Sequence, residues 1–160
     1  MCLGFHLKED AMNSTIDGLE FIPKKIFRDE RGAVFHMMRE GAEAFQSPAE
    51  VYFSSVKAGT IKGWKYQYEN TQRFAVPVGS VRFVFYDARQ GSKTNGAVVE
   101  IDTGPENYGL LCVPSKIWYS FQGLGDGESL IVNCASVAHN ANKGITEPLD
   151  SEKIPYQWSL

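Results

Sequence analysis

Short apolar runs recur along the chain, separated by turn residues. The segments 19–22, 33–38, 51–56, 60–68, 73–78, 81–86, 97–101, 109–113, 117–121 and 129–134 are rich in Val, Phe, Tyr and Ile. Gly, Pro, Asn and Asp punctuate them. Pro23 closes the first run, Asp29-Glu30-Arg31-Gly32 precedes the second, and Gly79-Ser80 stands as a hairpin-like turn between 73–78 and 81–86. This composition reads as antiparallel strands, and about ten of them at such spacing predict a sandwich or jelly-roll barrel. Only residues 40–46 carry a helical pattern, which stops before Pro48. No repeat, low-complexity tract or linker interrupts the pattern. The patterned sequence begins near Met12, so residues 1–11 read as an N-terminal extension and 12–160 as a single domain.

Composition narrows the classes. A chain of 160 residues suits one domain with a sizeable core, and 43% apolar with 22% charged residues is ordinary globular usage. A net charge of −3 argues against nucleic acid as partner, because tracking phosphates needs clustered positive charge. No apolar run approaches the ~20 residues that span a bilayer, and the first ten residues lack the core and basic flank of a secretory signal. Cys2, Cys112 and Cys134 are odd in number and widely spaced, fitting neither a disulfide framework nor a zinc site. A cytoplasmic location is the default expectation.

Specific motifs then add a resemblance. Gly59-Thr60-Ile61-Lys62-Gly63-Trp64-Lys65-Tyr66-Gln67, with Gly79 closing the next strand, resembles the first cupin motif (Gly, five residues, His-x-His). Pro114-Ser115-Lys116-Ile117-Trp118-Tyr119 resembles the second. Within cupins the chain is similar to the dTDP-4-dehydrorhamnose 3,5-epimerase family. The Asp-x-Arg-Gly of that family matches Asp29-Glu30-Arg31-Gly32, and its Arg-Gly-Leu-His-Tyr-Gln matches the stretch from Lys62 to Gln67. Its Asp-x-Arg-x-x-Ser-x-Thr-x-Gly matches the stretch from Asp87 to Gly96, and the ending Ile154-Pro155-Tyr156-Gln157-Trp158 is similar to the close of a short branch. The resemblance covers residues 16–158. It implies an all-β double-stranded β-helix, or jelly-roll barrel, of the cupin type, working as a homodimer on a nucleotide-linked 4-keto-6-deoxy sugar.

The departures from that pattern fall on the chemistry. The family's general-base histidine is Lys65 here, and the histidine of the second motif is Tyr119. The family's proton-donating tyrosine falls at Asn133. The lysine that supports the enolate falls at Gln72, with Arg73 adjacent. The resemblance also implies that Arg31 and Lys62 meet the diphosphate. It makes His36 a pocket histidine, supplied by the partner subunit if strands are exchanged between protomers. The bland alternative for Arg31 is a turn-stabilising pair with Asp29. Asp87, Arg89 and Ser92 read as strand-end and turn chemistry.

Strand alternation assigns faces without the family. Lys65 and Gln67 share one face, and Trp64, Tyr66 and Tyr68 share the other. Trp64, Tyr66 and Tyr52 read as packing residues. A metal is not expected, because Lys65, Gln67 and Tyr119 occupy the ligand-like positions and an ammonium cannot ligate. No other cofactor is implied.

Epimerisation beside a ketone needs a base, enolate stabilisation and an acid on the opposite face. Lys65 is a candidate for either of the first two roles, with the cationic, enolate-holding role slightly preferred. Tyr119 is the candidate proton donor or acceptor, with His36 or His139 as spare base. Three readings compete. The first is an epimerase or isomerase acting next to the C4 ketone, at a single carbon. The second is a catalytically inactive cupin that binds a sugar nucleotide or a biosynthetic partner. The third is a 3,4-ketoisomerase.

Overall fold

A computed structural model of the chain describes residues 16–42, 44–140 and 143–159. The expected extension at 1–11 lies outside the described residues. Twelve strands are present among them: β1 (Glu20–Pro23), β2 (Ile26–Asp29), β3 (Gly32–Phe35), β4 (Glu50–Lys57), β5 (Ile61–Gln67), β6 (Gln72–Val78), β7 (Ser80–Tyr86), β8 (Val98–Thr103), β9 (Gly109–Val113), β10 (Trp118–Leu124), β11 (Glu128–Ala135) and β12 (Gly144–Thr146). The ten apolar runs each become one of these. The two strands that the pattern missed, β2 and β12, are short and carry little apolar alternation.

The strands form two five-stranded sheets, ordered β1-β9-β6-β11-β4 and β12-β5-β10-β7-β8, plus the separate hairpin β2-β3. This corrects the barrel expectation: the architecture is an all-β sandwich, and neither sheet closes on itself or on the other. A single parallel bridge, Ala58 with Gly123, links the sheets at one corner. Alternation fixes which face of a strand is buried. Whether sheet edges meet depends on long-range pairing, to which alternation is blind.

A second correction concerns Gly79-Ser80, which is not a hairpin turn. β6 and β7 lie in different sheets, so the chain crosses the sandwich at this corner. Gly79 adopts a φ of 76°, and a Cβ there would lie 2.7 Å from the Ser129 Cα. Ser129 closes the corner, its Oγ accepting from Ser80 N at 3.0 Å and donating to Ser80 O at 2.9 Å. The helix expected over 40–46 is also not formed by the described residues of that segment, 40–42 and 44–46. Hydrogen bonds from Ala42 N to Arg39 O and from Phe45 N to Ala42 O make isolated turns, and Ala44 sits at a left-handed φ of 58°. The segment is tied down instead by Arg73 Nε, which donates to Ala44 O.

Between the sheets lies the main core, including Val76, Val81, Phe83, Phe85, Leu111, Phe121 and Ile131. The near-continuous apolar run of β7 has a reason. Val81, Phe83 and Phe85 point into this core, while Val84 faces the other way. There it joins Trp64, Trp118 and Ile154 in a second cluster on the outer face of the β5–β10–β7 sheet. The C-terminal segment covers that face, Trp158 Nε1 donating to Ser120 Oγ at 2.9 Å. Each fully buried large apolar side chain contributes roughly 1.5–3 kcal/mol. Among the described residues, no helix is long and apolar enough to cross a membrane.

Candidate active site

Lys65 owes its position to a local irregularity in β5. Tyr119 pairs with Lys65 and Phe121 pairs with Lys62, so Gly63 and Trp64 together oppose the single residue Ser120. This is a β-bulge. Only glycine fits at position 63, where φ is 135° and a Cβ would lie 2.3 Å from the Ser120 Cβ. Paired backbone hydrogen bonds between Trp64 and Glu147 hold the other side of the bulge. Tyr119 and Phe121 both face inward, so Lys62 and Lys65, although three residues apart, face inward with them.

Lys65 and Gln67 open into a cleft of about 760 Å³ that they share with Tyr52, Tyr119, His139 and the β12 residues Gly144, Ile145 and Thr146. That volume is in the range of small-molecule sites. The cleft lies between β4 and β12, the terminal strands of the two sheets, so the mouth exists because the sandwich stays open there. A smaller recess of about 30 Å³ continues past Gln67, Asn70, Gln72 and His139.

Burial lowers the Lys65 pKa, and the charge of Lys62 lowers it further. The Lys65 ammonium stands 5.9 Å from the Phe121 ring centroid. Tyr119 is only 3% exposed, and burial pushes its phenol well above the ordinary range, opposed by a hydrogen bond from Gln72. Burial also raises the Tyr52 pKa. Asn133 works against this shift and Glu50 adds to it. Asn133 Nδ2 donates to the Tyr52 hydroxyl at 2.6 Å. Two buried carboxamide oxygens, Gln72 Oε1 and Asn133 Oδ1, have no partner among the described residues. A buried acceptor left unpaired costs about 1–3 kcal/mol, which a ligand donor would recover.

The residues singled out by sequence separate into two groups. Lys65, Gln67, Tyr119 and His139 border the cleft, Gln72 borders its recess, and Asn133 reaches it through Tyr52. His139 is fixed by its backbone N–H, which donates to Glu50 Oε2 at 2.6 Å. Of the pair Gln72 and Arg73, the pocket residue is Gln72; the Arg73 guanidinium bonds the backbone at Ala44 and Gln72. Lys62 donates to the Ser55 carbonyl and acts on Lys65 through its charge. Arg31 and His36 do not border the cleft. Arg31 sits at the tip of the β2-β3 hairpin, 82% exposed and paired at 2.6 Å with Asp29, and His36 follows the same hairpin, tied by its N–H to Lys25 O. The contiguous match at Asp87 to Gly96 is a structural loop. Asp87, 0% exposed, accepts from Arg89, Ser92 and Thr94. Tyr52 is the cleft residue that sequence reasoning assigned to packing. Its signal is cross-strand, since it is the register partner of Asn133.

Comparison with known proteins fits this arrangement. The family model for dTDP-4-dehydrorhamnose 3,5-epimerase matches residues 13–160. The chain belongs to that family. The structure superposes on a dTDP sugar isomerase of Desulfovibrio desulfuricans with a TM-score of 0.87 and 36% identity, covering 89% of this chain and 92% of that one. A dTDP-6-deoxy-D-glucose-3,5-epimerase of Legionella pneumophila, solved with dTDP-4-keto-L-rhamnose, shares the fold at a TM-score of 0.78 and 23% identity, covering 92% and 82%. A probable low-salt glycan biosynthesis epimerase of Haloferax volcanii is 27% identical over 143 residues, 88% of each chain. Among the described residues, no three His, Cys, Asp or Glu side chains are grouped to share a metal ion.

Proposed function

We propose that this chain is a nucleotide-sugar epimerase that removes the proton next to the C4 ketone of a 4-keto-6-deoxyhexose at a single carbon. The observation that carries the reading is Lys65. It is a partly buried lysine, lowered in pKa by burial and by Lys62, opening into the cleft at the position to which the sequence resemblance assigns the base. Burial and the neighbouring charge both act in the direction that a lysine base requires. The unpaired oxygen of Gln72, at the recess, offers an acceptor for a sugar hydroxyl, and Gln67 lines both the recess and the cleft.

The nucleotide half calls for cations outside this cleft, and Arg31 is suited to bidentate phosphate contact. A homodimer would bring it there. The hairpin exposes Phe27 and Val34 at 58% and 64%, and the terminal strand β4 exposes Val51 and Phe53 at 51% and 64%. Apolar surface of this kind together with a free strand edge supports association of two copies. Light scattering at micromolar concentration tests the dimer, and a monomer would remove Arg31 and His36 from the site.

The activity test is solvent exchange in deuterated buffer with dTDP-, CDP- and GDP-linked 4-keto-6-deoxyhexoses. Label entering C3 or C5, lost in Lys65→Ala, is the expected result. No label from any of the three would leave the reading of an inactive sugar-nucleotide-binding cupin.

A further inference from the structure

The two-sided chemistry of inversion needs a second group, and the sandwich geometry identifies it. Lys65 and Tyr119 are direct partners across the β5-β10 ladder. Side chains so paired stand with Cβ atoms roughly 4.5–5.5 Å apart on one wall. From that wall Lys65 opens into the cleft, whereas the buried Tyr119 hydroxyl is bonded to Gln72 of the facing sheet. Inversion takes a proton from one face of the carbon and returns one to the other. Tyr52 comes from β4, the terminal strand of the facing sheet, and borders the same cleft.

We propose that Tyr52 is the catalytic acid that protonates the sugar carbon on the face opposite Lys65, a proposal that rests on the epimerase reading above. Its phenol oxygen is held by Asn133 Nδ2 at 2.6 Å, and Asn133 is itself 1% exposed. Asn133 lies within hydrogen-bond reach of that oxygen, and Tyr52 borders the cleft, where its hydroxyl can meet a bound ligand. Tyr52 is 36% exposed against 3% for Tyr119, so Tyr52 alone of the two can regain a proton from solvent between turnovers. The resemblance places the family's tyrosine at Asn133. In this chain the amide at that position instead anchors a tyrosine from the adjacent strand, its register partner.

The step balances without a co-reactant. The Lys65 amine takes the proton from the carbon beside the ketone, and the C–H electron pair moves to make an enolate. The enolate carbon then takes the Tyr52 hydroxyl proton on its other face and the ketone re-forms. The resulting tyrosinate takes a proton from water, and the Lys65 ammonium releases one. The Asn133 hydrogen bond stabilises the tyrosinate while it lasts.

Tyr52→Phe, Tyr119→Phe and Lys65→Ala, each in the full chain, are compared in deuterated buffer with whichever of the three linked 4-keto-6-deoxyhexoses the wild type labels. Tyr52→Phe is expected to lose inversion by about 100-fold or more, as for a removed general acid. It should keep substrate exchange with retained configuration, which also reports that the variant is folded. Lys65→Ala loses both reactions, and loss of inversion in Tyr119→Phe with inversion kept in Tyr52→Phe overturns the assignment. Inversion by Tyr52→Phe at the wild-type rate, or equal loss of exchange and inversion in that variant, overturns the Tyr52 assignment and leaves the epimerase reading standing. A wild type that labels no substrate overturns both.

Discussion

Replacing Asp87 by Ala removes the acceptor of five hydrogen bonds: from Arg89 N, Nε and Nη2, from Ser92 Oγ and from Thr94 Oγ1. The carboxylate is fully buried, while the Arg89 side chain is 22% exposed. Removing one partner of a buried pair costs about 3–5 kcal/mol. Arg89 keeps a bond to Asp17 O at 2.8 Å and some solvent, which places the expected loss near the lower end, at about 3 kcal/mol. For a chain of this size that lowers the melting midpoint by about 6–12 °C. Burial works to raise the Asp87 pKa, but the hydrogen bonds from Arg89, Thr94 and Ser92 outweigh it and hold the carboxyl below the usual range. A depressed carboxylate stabilises the fold at pH values above its unfolded pKa of about 3.9, and that stability is lost as pH falls toward the native value. The gap between wild type and Asp87→Asn should therefore be widest near neutrality and shrink below about pH 4. Urea unfolding at pH 7 and pH 3.5 measures both. A loss under about 1 kcal/mol for Asp87→Ala would refute the reasoning, because it would mean that Arg89 finds water or another acceptor at no cost. Loss of substrate exchange well below the melting midpoint would refute the assignment of this loop to structure alone.

Two other changes probe the cleft. With Lys65 as base, kcat/KM rises with pH along a limb whose midpoint lies below the ordinary lysine value of about 10.4. Lys62→Met should shift that midpoint upward in the pH–rate profile, since the Lys62 charge lowers the Lys65 pKa. Gly63→Ala would drive a Cβ into Ser120 at a φ of 135°. It should cost about 3 kcal/mol in urea unfolding and sharply reduce substrate exchange, as β5 shifts and Lys65 leaves its place opposite Tyr119.

The amino-acid pattern by itself determined ten of the twelve strands found among the described residues and which residues of a strand share a face. A two-residue alternation is local, so it sets Lys65 and Gln67 on one face and Trp64 on the other before any pairing is known, and the structure turns the first face to the cleft. The ordered motifs identified the family, and the departures at Lys65, Tyr119 and Asn133 marked candidate positions, which the structure sets at or beside one cleft. What alternation leaves open is everything set by pairing between distant residues. Only the tertiary structure decided that the sheets stay open between β4 and β12, so that the sandwich has a mouth where a barrel was expected. It also decided that the corner at Gly79 changes sheets, and that the described residues of 40–46 form turns, with Arg73 from another strand bonded to Ala44 O. The bulge at Gly63 adds Lys62 to the inner face against simple alternation, because two residues there oppose one. Tyr52 shows the same limit from the functional side. Alone in sequence it is an aromatic on an edge strand, and it becomes a candidate acid only because the register sets it beside Asn133 and across the cleft from Lys65.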